Sequence, residues 1–162
     1  MSVKQRTKLE NAEVSYTIPW DVSFKASSVS TPTRTVYDAS AKTSTGFSLN
    51  DLLATGIPDL VRLVELVLEW QVGPVAIVGD VSQFYPTIGL HEDSWPFQKI
   101  VLREDLNPNG QLIKAVIVSC IFGVCSSGGQ CEEVVRMIAE SVKEEFPDVS
   151  KFLIHRRYVD GL

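Results

Sequence analysis

The segment from Gln130 to Phe146 carries a helical period that leaves little freedom in what the chain can build. Val134, Val135, Ile138, Ala139 and Val142 fall on one side, while Glu132, Glu133, Arg136, Glu140, Lys143 and Glu144 fall on the other. A helix with one apolar side needs a second layer to cover it, and the remaining sequence offers strands for that layer. Phe97–Arg103 and Ile113–Phe122 are strand-like and separated by the turn-rich run EDLNPNG. Val14 to Phe24 alternates around Pro19, "ASSVSTPT" punctuates it, and Arg34 to Tyr37 reads as a short strand followed by the polar loop DASAKTSTG.

Between these parts lies a second helical stretch. Ser48 and Asp51 have the S-x-x-D spacing of a capping box. Helical spacing then continues from Leu49 to Trp70, with Leu52, Leu53, Leu60, Leu63, Val64, Val67 and Leu68 on one broad face. TGIPD should divide it, because Pro58 disfavours the α region at Ile57. The apolar run Val75 to Val78 suits a strand buried on both faces, ending at Asp80. Pro147 is expected to stop the last helix, and KFLIHRRYVDGL reads as two short strands joined by a basic turn at His155–Arg157. The order of elements predicts an α+β fold with a mixed or antiparallel sheet and packed helices, and residues 1–14 read as a linker-like start.

With 44% hydrophobic and 22% charged residues, the composition is that of a globular protein and excludes a disordered chain. No apolar run has the roughly 20 residues of a membrane span, and the polar, basic Met1–Glu10 lacks the core of a secretory signal. A cytoplasmic or nuclear, non-secreted protein without membrane contact is expected. The three cysteines, Cys120, Cys125 and Cys131, have neither the number nor the spacing of a disulfide framework or zinc site, so reduced thiols are expected. The net charge of −5 lies mostly after residue 50, which argues against an autonomous tight binder of nucleic acid.

Asp80 and Asp160 stand out because each follows a strand-like segment. Two carboxylates converging from distant parts of a chain repel unless a hard divalent cation lies between them, and Mg²⁺ with retained waters and phosphate ligands suits such a pair. Taken alone, the spacing favours a turn or cap residue at Asp80 and a hairpin residue at Asp160. GVCSSGGQC is a glycine-rich turn into a helix and lacks the phosphate-loop pattern.

The sequence resembles the reverse transcriptases of Pao/BEL-type long-terminal-repeat retrotransposons over about residues 15–162. The resemblance rests on RTVYDASAKTSTGFSLNDLL (Arg34–Leu53), VAIVGDVSQFYPTIGLHEDS, FQKIVLRED, IFGVCSS (Ile121–Ser127) and YVDGL, in the family's order. It implies a partial fingers-and-palm domain that performs RNA-directed DNA synthesis on a primer–template with deoxynucleoside triphosphates. By the resemblance, Asp80 and Asp160 are the catalytic carboxylates holding Mg²⁺ or Mn²⁺, with the carbonyl of Val81 assisting. Tyr85 would lie under the sugar of the incoming nucleotide, Arg34 and Lys42 would reach its triphosphate, and Phe122 and Gly123 would line its pocket. Without the resemblance, Tyr85 reads as a core aromatic and Arg34 as a solvated strand residue beside Asp38.

Three departures shape the expectation. Gly161 stands where the family has a second aspartate, removing one negative charge near the metal. SSGGQ lacks the proline usual after the serines, which should loosen the start of the helix. The sequence ends at Leu162, so an inactive fragment with a frayed last strand is expected, its open edge covered by a second copy or a partner. The alternative is a non-catalytic remnant that binds nucleic acid or protein.

Overall fold

The computed structural model describes residues 15–27, 32–56, 63–72, 74–75, 78–104 and 107–158. Helix and strand are mixed, as expected of an α+β chain, and the strands among the described residues form two two-stranded antiparallel sheets. The chain divides into two compact units, one of residues 1–54 with 89–125, the other of residues 55–88 with 126–162.

In the first unit, β1 (Trp20–Phe24) pairs with β2 (Thr33–Tyr37), Trp20 opposite Tyr37 and Phe24 opposite Thr33. Ser48 and Asp51 start helix α1 (Leu49–Leu52) as a reciprocal cap. Ser48 N–H donates to Asp51 Oδ2 at 2.8 Å, and Asp51 N–H donates to Ser48 Oγ at 3.2 Å. The second ribbon joins β3 (Lys99–Arg103) to β4 (Leu112–Val116), with Val101 opposite Lys114. The loop between them closes through Glu104 N–H to Gln111 O at 2.8 Å and Gly110 N–H to Asn107 O at 2.9 Å. A 3₁₀ turn, Glu92–Gln98, occupies the start of the expected first strand. Its Pro96 has no N–H to donate to a ladder. The core of this unit is Ile18, Ala39, Leu49, Ile121 and Val124, with Tyr16, Tyr37, Leu53, Phe97, Ile100 and Ile117 around it.

The second unit contains α2 (Leu63–Trp70), the one-turn α3 (Phe84–Thr87), α4 (Ser127–Ser141) and α5 (Pro147–His155). On α4 the buried positions are Ser127, Cys131, Val135 and Ala139, an i, i+4 ladder of small residues, whereas Ile138 is 48% exposed. The α5 segment corrects the expected hairpin. The helical run ends at Ser141, short of the expected Phe146, and Pro147 opens a new helix, since its missing N–H costs nothing in a first turn and its φ is already helical. Packing against α4 then holds Lys151–His155 as helix.

The buried strand expected at Val75–Val78 is also corrected. Val75 and Val78 are 75% and 73% exposed, and no described element covers them. A strand buried on both faces needs cover that Val75 and Val78 lack, and Ala76 and Ile77 between them lie outside the described residues. The apolar face assigned to α2 is likewise in solvent, with no buried residue on the helix. All three cysteines are free thiols, and Cys120 and Cys131 are buried as small apolar residues. No helix among the described residues is long and apolar enough to cross a membrane. Residues 1–14, Pro58, Leu60, Asp160 and Gly161 lie outside the described residues.

Candidate functional site

The residues singled out from the sequence fall into both units. In the second, Asp80 is exposed, and its carboxylate makes no hydrogen bond or ion pair with another described residue. The burial cost expected for a carboxylate ending an apolar strand therefore does not arise. Val81 follows it half-buried, and the chain then turns through Gln83, whose φ of 52° and ψ of 38° place a non-glycine residue in the left-handed region. That conformation costs about 1 kcal/mol or more. It starts α3 so that Phe84 and Tyr85 both turn inward, 7% and 9% exposed, their rings edge to face at 6.0 Å. The Tyr85 hydroxyl lies 4.0 Å from where a Cβ on Gly128 would be, so the tyrosine abuts the first turn of α4.

The glycines of SSGGQ have a structural role that the sequence reading missed. A Cβ on Gly129 would stand 2.9 Å from the Thr55 carbonyl oxygen and 3.4 Å from the Gly56 Cα. Gly129 lets the Thr55–Gly56 backbone pass directly against α4. The helix starts there without a side-chain cap from Ser126, and Gln130 N–H donates to Ser126 O at 3.1 Å.

In the first unit, Arg34 is exposed on β2 opposite Ser23. The Asp38 carboxylate accepts from Ser40 N–H at 3.0 Å. Lys42 lies 3.9 Å from Asp51, an exposed and loose ion pair. Hydrogen bonds from Ser48 backbone and hydroxyl hold the Asp51 carboxyl below its ordinary 3.8; desolvation opposes them, and the Lys42 charge adds the smallest contribution in their favour. Phe122 is 63% exposed beside Gly123, which has a φ of 96°. A Cβ on Gly123 would stand 2.2 Å from the Tyr37 carbonyl oxygen. The loop holding Phe122 and Gly123 is thereby pressed against the end of β2, the strand that carries Arg34.

Asn50, absent from the sequence reading, organises this loop. Its Nδ2 donates to Gly123 O at 2.8 Å and to Ser40 Oγ at 2.9 Å, and its Oδ1 accepts from Cys125 N–H at 2.9 Å. Arg34–Leu53 and Ile121–Ser127, two segments far apart in the chain, are thus joined by one side chain.

As a metal ligand, Asp80 meets the first requirement, an accessible and uncommitted carboxylate. Its expected partner Asp160 lies outside the described residues, and among those described no three Asp, Glu, His or Cys side chains are grouped to hold an ion. No protein-family model matches the chain, and no curated protein is similar to it in sequence.

Proposed function

We propose that this chain is the fingers-and-palm part of a Pao/BEL-type retroelement reverse transcriptase, an RNA-directed DNA polymerase of the cytoplasm or nucleus whose catalytic centre is weakened. The reading is carried by one observation: five segments similar to that family follow one another in its order across almost the whole sequence. The local geometry is compatible with it. An exposed, uncommitted Asp80 precedes by five residues a buried Tyr85 that meets the start of α4, where the SSGGQ segment lies.

In this reading Asp80, the Val81 carbonyl and Asp160 hold Mg²⁺ or Mn²⁺. The metal would lower the barrier to attack by the primer hydroxyl and stabilise the leaving pyrophosphate. Arg34 offers a planar fork of donors to phosphate oxygens, and Lys42 adds a point charge once released from Asp51. Tyr85 sets the floor under the sugar, and Phe122 with Gly123 borders the base. Gly161 supplies no carboxylate, so electrostatic stabilisation of the transferring phosphoryl group falls short.

Primer extension on an RNA template with Mg²⁺ or Mn²⁺ tests this. The native chain is expected to extend weakly or not at all, Gly161→Asp to gain extension, and Asp80→Asn placed on Gly161→Asp to abolish the gain. A Gly161→Asp chain that folds and binds primer–template yet never extends would sink the polymerase reading. The second reading, a non-catalytic nucleic-acid-binding remnant, is favoured by Gly161 itself. It predicts salt-sensitive primer–template binding in every variant without extension.

A further inference from the structure

The β3–β4 ribbon has two edges, and only one is used. Its ladder includes Glu104 N–H to Gln111 O at 2.8 Å and Ile117 N–H to Gln98 O at 3.0 Å. Antiparallel pairing alternates, so Ile113 and Ala115 turn their backbone groups toward β3, while Leu112, Lys114 and Val116 turn theirs away. On β3 the corresponding outward groups are occupied. Lys99 N–H donates to Tyr16 O at 3.2 Å, Lys99 O accepts from Ile18 N–H at 2.7 Å, and Val101 O accepts from Trp20 Nε1 at 2.8 Å. On β4 the outward N–H and C=O groups of Leu112, Lys114 and Val116 have no hydrogen-bond partner among the described residues. Past Val116 the edge closes again, where Leu90 N–H donates to Val118 O at 2.9 Å and Gly89 bridges Ser119.

One face of the ribbon carries a charge pattern. Cross-strand partners share a face, so Lys99 with Val116, Val101 with Lys114, and Arg103 with Leu112 lie opposite the face through which Ile100 packs on the core. On that face the two strands place no Asp or Glu, and its exposed charged residues are the cations Arg103 and Lys114, although the whole chain has a net charge of −5. Lys114, on the open strand, sits diagonally between Lys99 and Arg103. Arg103 Nη1 is held toward the turn by Gly110 O at 3.0 Å.

We propose that β4 is a docking edge for an extended acidic segment of a partner protein, which adds as a third strand. Its main chain would satisfy the outward groups of Leu112, Lys114 and Val116, and a carboxylate opposite Lys114 would lie beside that cation, with Arg103 one strand further in. Charge complementarity selects this occupant. A second copy pairing antiparallel through the centre of its own β4 would set Lys114 against Lys114, two like charges directly opposite. A single-stranded nucleic acid would offer phosphates to the cations but no backbone to pair with the edge.

The test uses the full chain, a short peptide of alternating glutamate and valine, its lysine–valine counterpart, and oligothymidylate. The acidic peptide is expected to slow amide hydrogen exchange roughly 10-fold or more at Leu112, Lys114 and Val116, leaving the already bonded Ile113 and Ala115 unchanged, and the basic peptide to do neither. Lys114→Pro removes the central outward donor while sparing the ladder to β3, and should weaken the acidic peptide roughly 10-fold. Lys114→Glu, which keeps the backbone donor, should weaken it by a similar factor through charge alone. No protection by the acidic peptide, or equal affinity in native and both variant chains, overturns the proposal. So does protection of the same amides by oligothymidylate alone, or by self-association without peptide.

Discussion

The side-chain amide of Asn50 bonds the backbone on both sides of Val124, donating to the Gly123 carbonyl at 2.8 Å and accepting from the Cys125 N–H at 2.9 Å. Val124 is thereby seated in the core beside Ile121 and Leu49. The donor and acceptor of one amide are both used, so no isosteric residue replaces it. Asn50→Ala is expected to cost about 1–3 kcal/mol, and Asn50→Asp a comparable amount because a carboxylate cannot donate to Gly123 O. Urea unfolding of the three chains measures both.

Gly123 and Gly46 separate conformational strain from steric exclusion. Both have positive φ, 96° and 84°, but an added Cβ at Gly46 meets nothing within 4 Å. Gly46→Ala should cost about 1 kcal/mol. Gly123→Ala, whose Cβ would stand 2.2 Å from Tyr37 O, should cost about 3 kcal/mol or more and displace the end of β2. Equal losses for the two would refute the close approach.

Arg157 and Glu132 form a two-point ion pair between the end of α5 and the first turns of α4, with side chains only 7% and 17% exposed. Removing one partner strands a buried charge. Arg157→Met or Glu132→Leu alone should cost about 3–5 kcal/mol, and the double variant should recover much of that loss. A double-mutant cycle by thermal unfolding decides it, and additive losses would contradict the pairing.

Asp51 predicts a pH dependence confined to acid. Its folded-state carboxyl titrates below the ordinary 3.8 because Ser48 donates to it from backbone and hydroxyl. Its contribution to stability is therefore complete above 3.8 and is lost as pH falls through the lowered folded value. The stability gap between the native chain and Asp51→Asn should be constant near neutral pH and shrink only in strong acid. A gap that closes already between pH 5 and 7 would contradict this.

Asp80 is exposed and uncommitted, so Asp80→Asn should change stability by no more than about 0.5 kcal/mol. Any loss of extension in that variant then reports on chemistry and not on folding, a distinction that unfolding curves beside the extension assay make directly.

What the sequence by itself determined about this protein is its short-range structure. The Ser48–Asp51 cap, the turn between β3 and β4, strand β2 and the helical period from Gln130 as far as Ser141 depend on groups a few residues apart, and all of them form. Only tertiary structure decided the rest. Whether Lys151–His155 was strand or helix depended on α4 being beside it, because a short apolar run satisfies either period. The exposure of Val75, Val78 and the α2 face depended on which layers cover them, which periodicity does not encode. Asn50 against Gly123, Gly129 against Thr55 and Arg157 against Glu132 unite residues remote in the chain. Such contacts arise only after loops have closed, so no local pattern of residues announces them.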